Sequence, residues 1–235
     1  MTDWIDTARV IDVSHWQLPD DLDWKAAAAA GCVGAIIKYT QGTGGSDTAA
    51  RDHAWNAYSA GVPLLGGYHF GDGSDPEAQA AHFLAAMRDD YGPNLSGRIV
   101  MLDAEQNKPQ MTVAQAEVFV SAIHEDLGRW PLLYMGHFGP TGNGAGLPSA
   151  ILSNCVLMIP AYGNHANNLG QYLPKGFRMP KDGADRGEPG MGVARLWQFS
   201  DGTINGGPFP GLGKVDQSRL IGFASVDEAV AALTA

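Results

Sequence analysis

The sequence has few basic residues, little cysteine and no long apolar stretch, and each shortage excludes a class of protein. Its 235 residues include 15 Lys and Arg against 25 Asp and Glu, a formal net charge of -10. Nucleic-acid binding rests on clustered cations that contact phosphates, so no nucleic-acid partner is expected. No segment approaches the ~20 consecutive apolar residues that cross a bilayer, so membrane insertion is not expected either.

Three further absences concern export, redox chemistry and metals. The N-terminus, Met1 to Asp6, lacks the basic segment and apolar run of a signal peptide, so we expect no export signal. Cys32 and Cys155 lie in apolar, strand-like contexts, which favours two buried thiols over a disulfide. The seven histidines show no compact ligand spacing, so no metal site is expected.

The chain itself shows short β-branched apolar segments that alternate with helical patterns. This alternation predicts an α/β fold with a mostly parallel sheet and helices packed outside it. Because α/β barrels reach this length undivided, residues 1–235 are expected to form a single domain. Eight strands are predicted, at Val10–Ser14, Ala35–Thr40, Leu64–Phe70, Arg98–Glu105, Leu132–Met135, Val156–Ala161, Ala194–Phe199 and Val215–Arg219.

Start and stop signals define the clearest helices. Ser74 or Asp75 is expected to cap one helix, which has Pro76 in its first turn and ends at Gly92. A capping box of Thr112 and Gln115 begins a second helix, closed by Gly128, and residues 225–233 form a last one. Between them, 136–148 and 163–192 are rich in Gly, Asn and Pro, and we expect them to wall a groove.

The strongest chemical signal is a pair of carboxylates at the end of the fourth predicted strand. The strand period of two places Ile99, Met101, Asp103 and Glu105 on one face. Two acids close together at an apolar barrel edge disfavour joint ionisation, so one can remain protonated near neutral pH. A proton donor beside a second acid is what cleavage of a glycosidic bond requires.

Other side chains are expected at the same mouth. Asp12 and Asp216 also fall at strand ends, where the sites of (β/α) barrels lie, although a single aspartate there is more often a cap or turn residue. Tyr68, Tyr162 and Trp197 are interpreted as aromatic groove walls. Three further rings, Tyr39, Phe70 and Phe199, are interpreted as barrel packing.

Seven short motifs occur in one order along most of the chain. They are Ile11-Asp-Val-Ser-His-Trp-Gln17, Ile37-Lys38 with Gln41-Gly42, Gly66-Gly-Tyr-His-Phe70, Leu102-Asp-Ala-Glu105, Ala161-Tyr162, Leu196-Trp-Gln198 and Val215-Asp216. Together they resemble the glycoside hydrolase family 25 muramidases, the Chalaropsis-type lysozymes, from about residue 10 to residue 222.

The resemblance implies an irregular barrel of five β/α units followed by strands with few helices. It also implies hydrolysis of the β-1,4 bond between N-acetylmuramic acid and N-acetylglucosamine in peptidoglycan, without metal or cofactor. Glu105 would be the general acid, and Asp103 would either stabilise the cationic transition state or orient the substrate acetamido group. The remaining matched positions, Asp12, Asp216, Tyr68, Trp197 and Lys38, would contact the glycan.

Several alternatives stay open at this stage. Chitinase-type barrels also carry Asp-x-Glu at a strand end, and a catalytically silent glycan-binding or phage structural module could keep the groove. The stereochemical course is undecided. The protein is expected to be a monomer without wall-binding repeats, and either a phage endolysin or a catalytic part of a longer or differently exported protein.

Overall fold

Eight strands close into a barrel in the computed structural model, which describes residues 7–105, 109–135, 149–162, 169–174, 176–181, 185 and 192–235. The strands of the described chain are β1 (Arg9–Val13), β2 (Cys32–Gln41), β3 (Gly45–Ser46), β4 (Leu64–Phe70), β5 (Ile99–Asp103), β6 (Leu132–Tyr134), β7 (Val156–Pro160), β8 (Phe177–Arg178), β9 (Gly192–Ser200) and β10 (Asp216–Leu220). The ring order is β1-β2-β4-β5-β6-β7-β9-β10, and β10 returns to β1. Within this ring all pairs are parallel except the two made by β10, which runs antiparallel to β9 and β1. Outside the ring, the short β3 pairs with β2 in antiparallel fashion. The predicted α/β barrel is confirmed.

Helices cover the outside of the barrel mainly in its first half. They are α1 (Trp24–Ala29), α2 (Ala50–Ser59), α3 (Pro76–Tyr91), α4 (Val113–Leu127) and α5 (Val226–Thr234). The predicted caps are present: Asp75 accepts from two backbone amides at the start of α3, and Thr112 and Gln115 form the capping box of α4. In the described residues between β6 and β7 only a short 3-10 turn occurs, at Leu152–Asn154.

All eight predicted strands are found, and two were missed. β3 and β8 have two residues each, which is too short to show a periodic pattern. The prediction that Asp216 falls at the end of a strand was wrong, because β10 begins at Asp216 and carries this acid at its start.

The strand alternation separates two apolar layers. On β5, Ile99 and Met101 belong to the inner cluster, which lies inside the barrel. Val100 and Leu102 belong to the outer core, which lies between the sheet and the helices. α5 packs on the inner cluster and ends beside the start of β5, where the Thr234 carbonyl accepts a hydrogen bond from Gly97. This end of the barrel is therefore covered, and the opposite end, where the parallel strands finish, is the mouth.

Gly66 on β4 lies directly opposite Ile99 on β5. A Cβ at this position would overlap the backbone carbonyl oxygen of Ile99. The backbone of Ile99 cannot move aside, because β5 is paired with a strand on each side. We expect Gly66→Ala to lower the free energy of unfolding by about 1–3 kcal/mol, as overpacking does. Gly44→Ala is the matched control, because a Cβ there meets nothing within 4 Å. Equal denaturant midpoints for the two variants would contradict this.

Three further expectations can be compared with the described residues: those on the cysteines, on the two Gly-, Asn- and Pro-rich segments, and on membrane insertion. Cys32 and Cys155 are buried free thiols, as predicted. Residues 136–148 lie outside the described part of the chain. Of 163–192, the described residues do not wall the groove as predicted: β8 pairs with the start of β9, and Leu169 and Phe177 join the outer core. The side chains of Leu169 and Phe177 are apolar, so packing against the sheet is favoured over exposure at a rim. A membrane-spanning helix is not found in the described segments.

Candidate active site

A cavity of about 400 Å³ occupies the mouth of the barrel. Its floor is formed by Met101 and Met158 and its walls by polar and aromatic side chains. Four carboxylates line it, those of Asp12, Asp103, Glu105 and Asp216. All four acids singled out from the sequence therefore meet in one place.

Strand direction explains how acids far apart in sequence come together. Asp103 ends β5 and Glu105 follows two residues later, whereas Asp12 lies near the end of β1. Asp216 instead begins β10, and it reaches the same mouth because β10 runs antiparallel. Asp12 and Asp216 are direct partners in the β1–β10 ladder, which brings their side chains close together.

Asp103 and Glu105 differ in environment. Asp103 is 8% exposed, and its Oδ1 is buried without a hydrogen-bond partner among the described residues. Burial, and then the charge of Glu105, raises the pKa of Asp103 well above its ordinary value. Glu105 lies at the exposed rim, where the surrounding protein still removes part of the water from its carboxyl. This partial desolvation, and then the charge of Asp216, raises the pKa of Glu105, whereas Lys38 lowers it. Each group therefore keeps its proton to a higher pH than an isolated carboxyl would.

Asp12 and Asp216 form a second coupled pair. Burial, and then the charge of Asp216, raises the pKa of Asp12 well above its usual range. Burial also raises the pKa of Asp216, although its hydrogen bond with Asp12 acts in the opposite direction. The two carboxyls therefore disfavour ionising together, and a proton on either of them stabilises the pair.

Gln198 connects this pair to the aromatic wall. Its side-chain amide donates to Oδ2 of Asp12 at 3.0 Å. Its Oε1 accepts from the hydroxyls of Tyr134 at 2.8 Å and Tyr162 at 2.6 Å. The sequence prediction missed Gln198 as a site residue, and its only signal was the motif Leu196-Trp-Gln198. With two tyrosines holding its oxygen, the amide has one orientation, and this fixes the Asp12 carboxyl.

The raised pKa of Asp12 implies that ionisation of this carboxyl lowers the free energy of unfolding. A carboxyl whose pKa is raised by folding lowers the stability of the folded state as the pH rises above the unfolded pKa of about 3.9, because only the unfolded chain can then ionise freely. This cost is complete once the pH exceeds the raised pKa, and it is absent below the unfolded pKa. Asn at position 12 keeps the acceptor for Gln198 and a donor for Asp216 but never ionises. We expect Asp12→Asn to raise the free energy of unfolding by about 1–2 kcal/mol at neutral pH.

Denaturant unfolding at two pH values checks this expectation. The stabilisation should shrink towards zero at about pH 3.5, where both folded and unfolded wild-type chains carry a protonated Asp12. A stabilisation that is the same at both pH values would show that ionisation is not its source.

The remaining predicted side chains divide between the cavity and the core. Tyr68, Tyr162 and Lys38 line the cavity, and the ammonium of Lys38 donates to Gln41 at 2.8 Å. Trp197 does not line it: this ring is 3% exposed in the outer core, and its Nε1 donates to the Ala161 carbonyl. Phe70, predicted as packing, does line the cavity.

A short turn after β1 forms one rim of the cavity. Trp16 on this turn is 81% exposed, the largest exposure among the large apolar side chains described. Buried His53 holds the turn from below, because its Nε2 lies 3.0 Å from the Gln17 carbonyl oxygen and 3.3 Å from that of Ser14. Asp47 accepts from the backbone amide of His15 at 3.0 Å. The exposed ring therefore stands on a fixed support.

The polar groups at the mouth are carboxyl, amide, phenol and hydroxyl groups together with the ammonium of Lys38. Across the described residues, no group of three or more His, Cys, Asp or Glu side chains is arranged to hold a metal ion.

Comparison with known proteins agrees with this architecture. The chain is similar to a lysozyme from Streptomyces coelicolor (24% identity, 97% of this chain and 98% of that chain, TM-score 0.73). It is similar to a muramidase from Acremonium alcalophilum (26%, 96% and 99%, TM-score 0.70) and to the catalytic domain of an endolysin from bacteriophage P40 of Listeria monocytogenes (18%, 96% and 98%, TM-score 0.64). No curated protein sequence matches. The sequence profile of the glycosyl hydrolases family 25 matches residues 11–207, and the chain belongs to this family of glycoside hydrolases.

Proposed function

We propose that the protein is a peptidoglycan N-acetylmuramidase, which hydrolyses the β-1,4 bond between N-acetylmuramic acid and N-acetylglucosamine. The observation that carries this proposal is the pairing of Asp103 and Glu105 in a cavity at the mouth of the barrel. Family membership supports a glycosidase, and the similar chain from Acremonium alcalophilum is a muramidase. The cell wall is then the place of action.

Glu105 acts as the general acid in this proposal. Its raised pKa keeps a proton on the carboxyl to higher pH than an ordinary glutamate would, and its exposed position lets it reach a bound glycan. It gives this proton to the glycosidic oxygen as the bond to the anomeric carbon breaks. The same carboxylate then removes a proton from the incoming water, which returns Glu105 to its starting state.

Asp103 orients the acetamido group of the substrate. Its Oδ1 is a buried acceptor without a partner among the described residues, and an acetamido N–H has the complementary donor. With its N–H held by Asp103, the acetamido carbonyl oxygen bonds to the anomeric carbon while the leaving group departs. Water then opens this intermediate from the opposite face, so two inversions give net retention.

The stereochemical part has its own test. Proton NMR of the reaction at early times distinguishes the two anomers of the new reducing end before they equilibrate. The β anomer is expected first, because the bond that is cleaved is β. The α anomer first would show inversion and would remove the acetamido group from the mechanism.

Mass spectrometry of fragments released from purified peptidoglycan tests the activity itself. Fragments with N-acetylmuramic acid at the reducing end are expected. N-acetylglucosamine at the reducing end would indicate a different bond, and release only from chitin oligomers would indicate a chitinase-like enzyme. Absence of any fragment would favour a glycan-binding module.

We further propose that the protein serves as a phage endolysin, which reaches the wall through a lesion in the membrane. The support is the fold that it shares with the bacteriophage P40 endolysin domain. Expression inside a bacterium should then cause lysis only when a membrane-permeabilising protein is co-expressed. Lysis on expression alone would point to another export route.

A further inference from the structure

Two exposed aromatic rings lie side by side on α2, away from the cavity at the mouth. Trp55 is 66% exposed and Tyr58 60% exposed. Residues three apart share one helix face, and their ring centroids are 6.2 Å apart with an interplanar angle of 38°. Large rings are costly to leave in water, and adjacent exposed ones mark an interaction site more often than single ones do.

The rings border a cavity of about 390 Å³ between α2 and the end of α3. It shares no lining residue with the cavity at the mouth. Tyr91 ends α3 and Arg98 directly precedes β5, so this second cavity lies towards the end of the barrel where the strands begin. It is therefore a separate feature and not an extension of the catalytic cleft.

Polar groups of both signs surround the rings. Arg51 donates from Nε to Asp90 at 2.7 Å and keeps a side chain that is 71% exposed. Arg98 lies over the ring of Tyr91 at 4.9 Å, and Asp89 completes the charged border. Two cations and two anions nearly cancel, which fits a neutral ligand with many hydrogen-bonding groups better than a charged or a wholly apolar one.

We propose that Trp55 and Tyr58 form a second glycan-binding site, which takes a short stretch of neutral, N-acetylated β-1,4 amino-sugar polymer. Sugar rings present flat C–H faces that stack on aromatic rings, while their hydroxyl and acetamido groups suit the arginine and aspartate border. The tilt between the rings fits a twisted strand, because successive sugars turn relative to one another. The proposal rests on the proposed function, since the ligand is the wall polymer that the cleft cleaves.

A second site on one chain converts wall binding into a two-point attachment. The test measures sedimentation with insoluble purified peptidoglycan, using Glu105→Gln protein so that no cleavage occurs. Adding Trp55→Ala and Tyr58→Ala to this background is expected to weaken the apparent affinity about tenfold. Val118→Ala in the same background is the control, because Val118 is an exposed apolar side chain on α4 that is outside both cavities.

Turnover provides the second measurement. In chains that retain Glu105, the Trp55→Ala/Tyr58→Ala protein should cleave a short soluble glycan with unchanged kcat/KM and digest intact wall more slowly. Equal wall binding with and without the two rings would overturn the proposal. So would a dimer, seen by analytical ultracentrifugation, that the double substitution dissociates, because the rings would then be an interface between two copies of the chain.

The two proposals fail separately. Wall binding is measured without cleavage, so an effect of the two rings can be seen or absent whatever the products of the wild type are. If the wild type releases the expected fragments and the rings do not matter for wall binding, only the second site is lost.

Discussion

Glu105→Gln is expected to abolish release of soluble fragments from peptidoglycan while the protein remains folded. Glutamine has the shape of the protonated carboxyl but cannot give up a proton, so departure of the leaving oxygen is unassisted. Loss of a general acid slows such reactions by about 10²–10⁴-fold, which places the variant near the detection limit of a wall-lysis assay.

The melting temperature of Glu105→Gln shows whether a loss of activity comes from lost chemistry or from lost folding. Glu105 is exposed and folding raises its pKa, so its replacement removes an unfavourable ionisation and should not lower the melting temperature. Glu125→Gln, on the exposed face of α4, is the matched control and should keep full activity. If Glu105→Gln retained wild-type activity, the assignment of the acid would be wrong.

The pH dependence follows from the same group. Because the pKa of Glu105 is raised, the protonated fraction persists to higher pH than for an ordinary glutamate with a pKa near 4.5. Wild-type kcat/KM should fall as the pH rises through this raised pKa. The residual activity of Glu105→Gln should lack that limb of the profile.

Asp103→Asn is expected to cost nearly as much as the change at Glu105. Asparagine keeps the size of the side chain, but its amide can present N–H groups where the substrate acetamido N–H needs an acceptor. The loss of one oriented, charge-stabilising contact is expected to lower kcat by about 10²–10³-fold. Steady-state kinetics on a soluble glycan measures it.

A matched control and a product analysis complete this test. Asp52→Asn on exposed α2 makes the same chemical change away from the cavity and should be silent. The anomer first released by residual Asp103→Asn activity should still be β if another group orients the acetamido weakly. Wild-type kinetics in Asp103→Asn would show that the acetamido group does not depend on this carboxylate.

The four acids could be placed from the sequence because two simple rules act together. Parallel strands of a barrel end at one mouth, and the period of two puts Asp103 and Glu105 on the inner side. Asp216 was placed at the mouth although its strand runs the other way. Composition carries no information on strand direction, so its position at the start of β10 could come only from the structure.

Trp197 and Gln198 show where pattern reasoning fails. β9 is buried along its whole length, so no polar face sets the phase of its alternation. The larger aromatic residue was taken as the groove residue, whereas the structure turns Gln198 inwards and Trp197 outwards. In the same way, Phe70 has the hydrophobicity of a core residue and yet lines the cavity. The sequence motif does not show which of its apolar side chains lie in the core and which face the cavity.

The seam of the barrel joins the first strand to the last, and Asp12 faces Asp216 across it. A ribosome must therefore complete β10 before either carboxyl meets its partner, and the loop closed by this pairing is long and slow to form. Ring closure and completion of the acid cluster are one event. A nascent or clipped chain without β10 lacks both the closing strand and an acid of the candidate site, so a cell that makes this protein carries no fully assembled acid cluster until β10 has been synthesised.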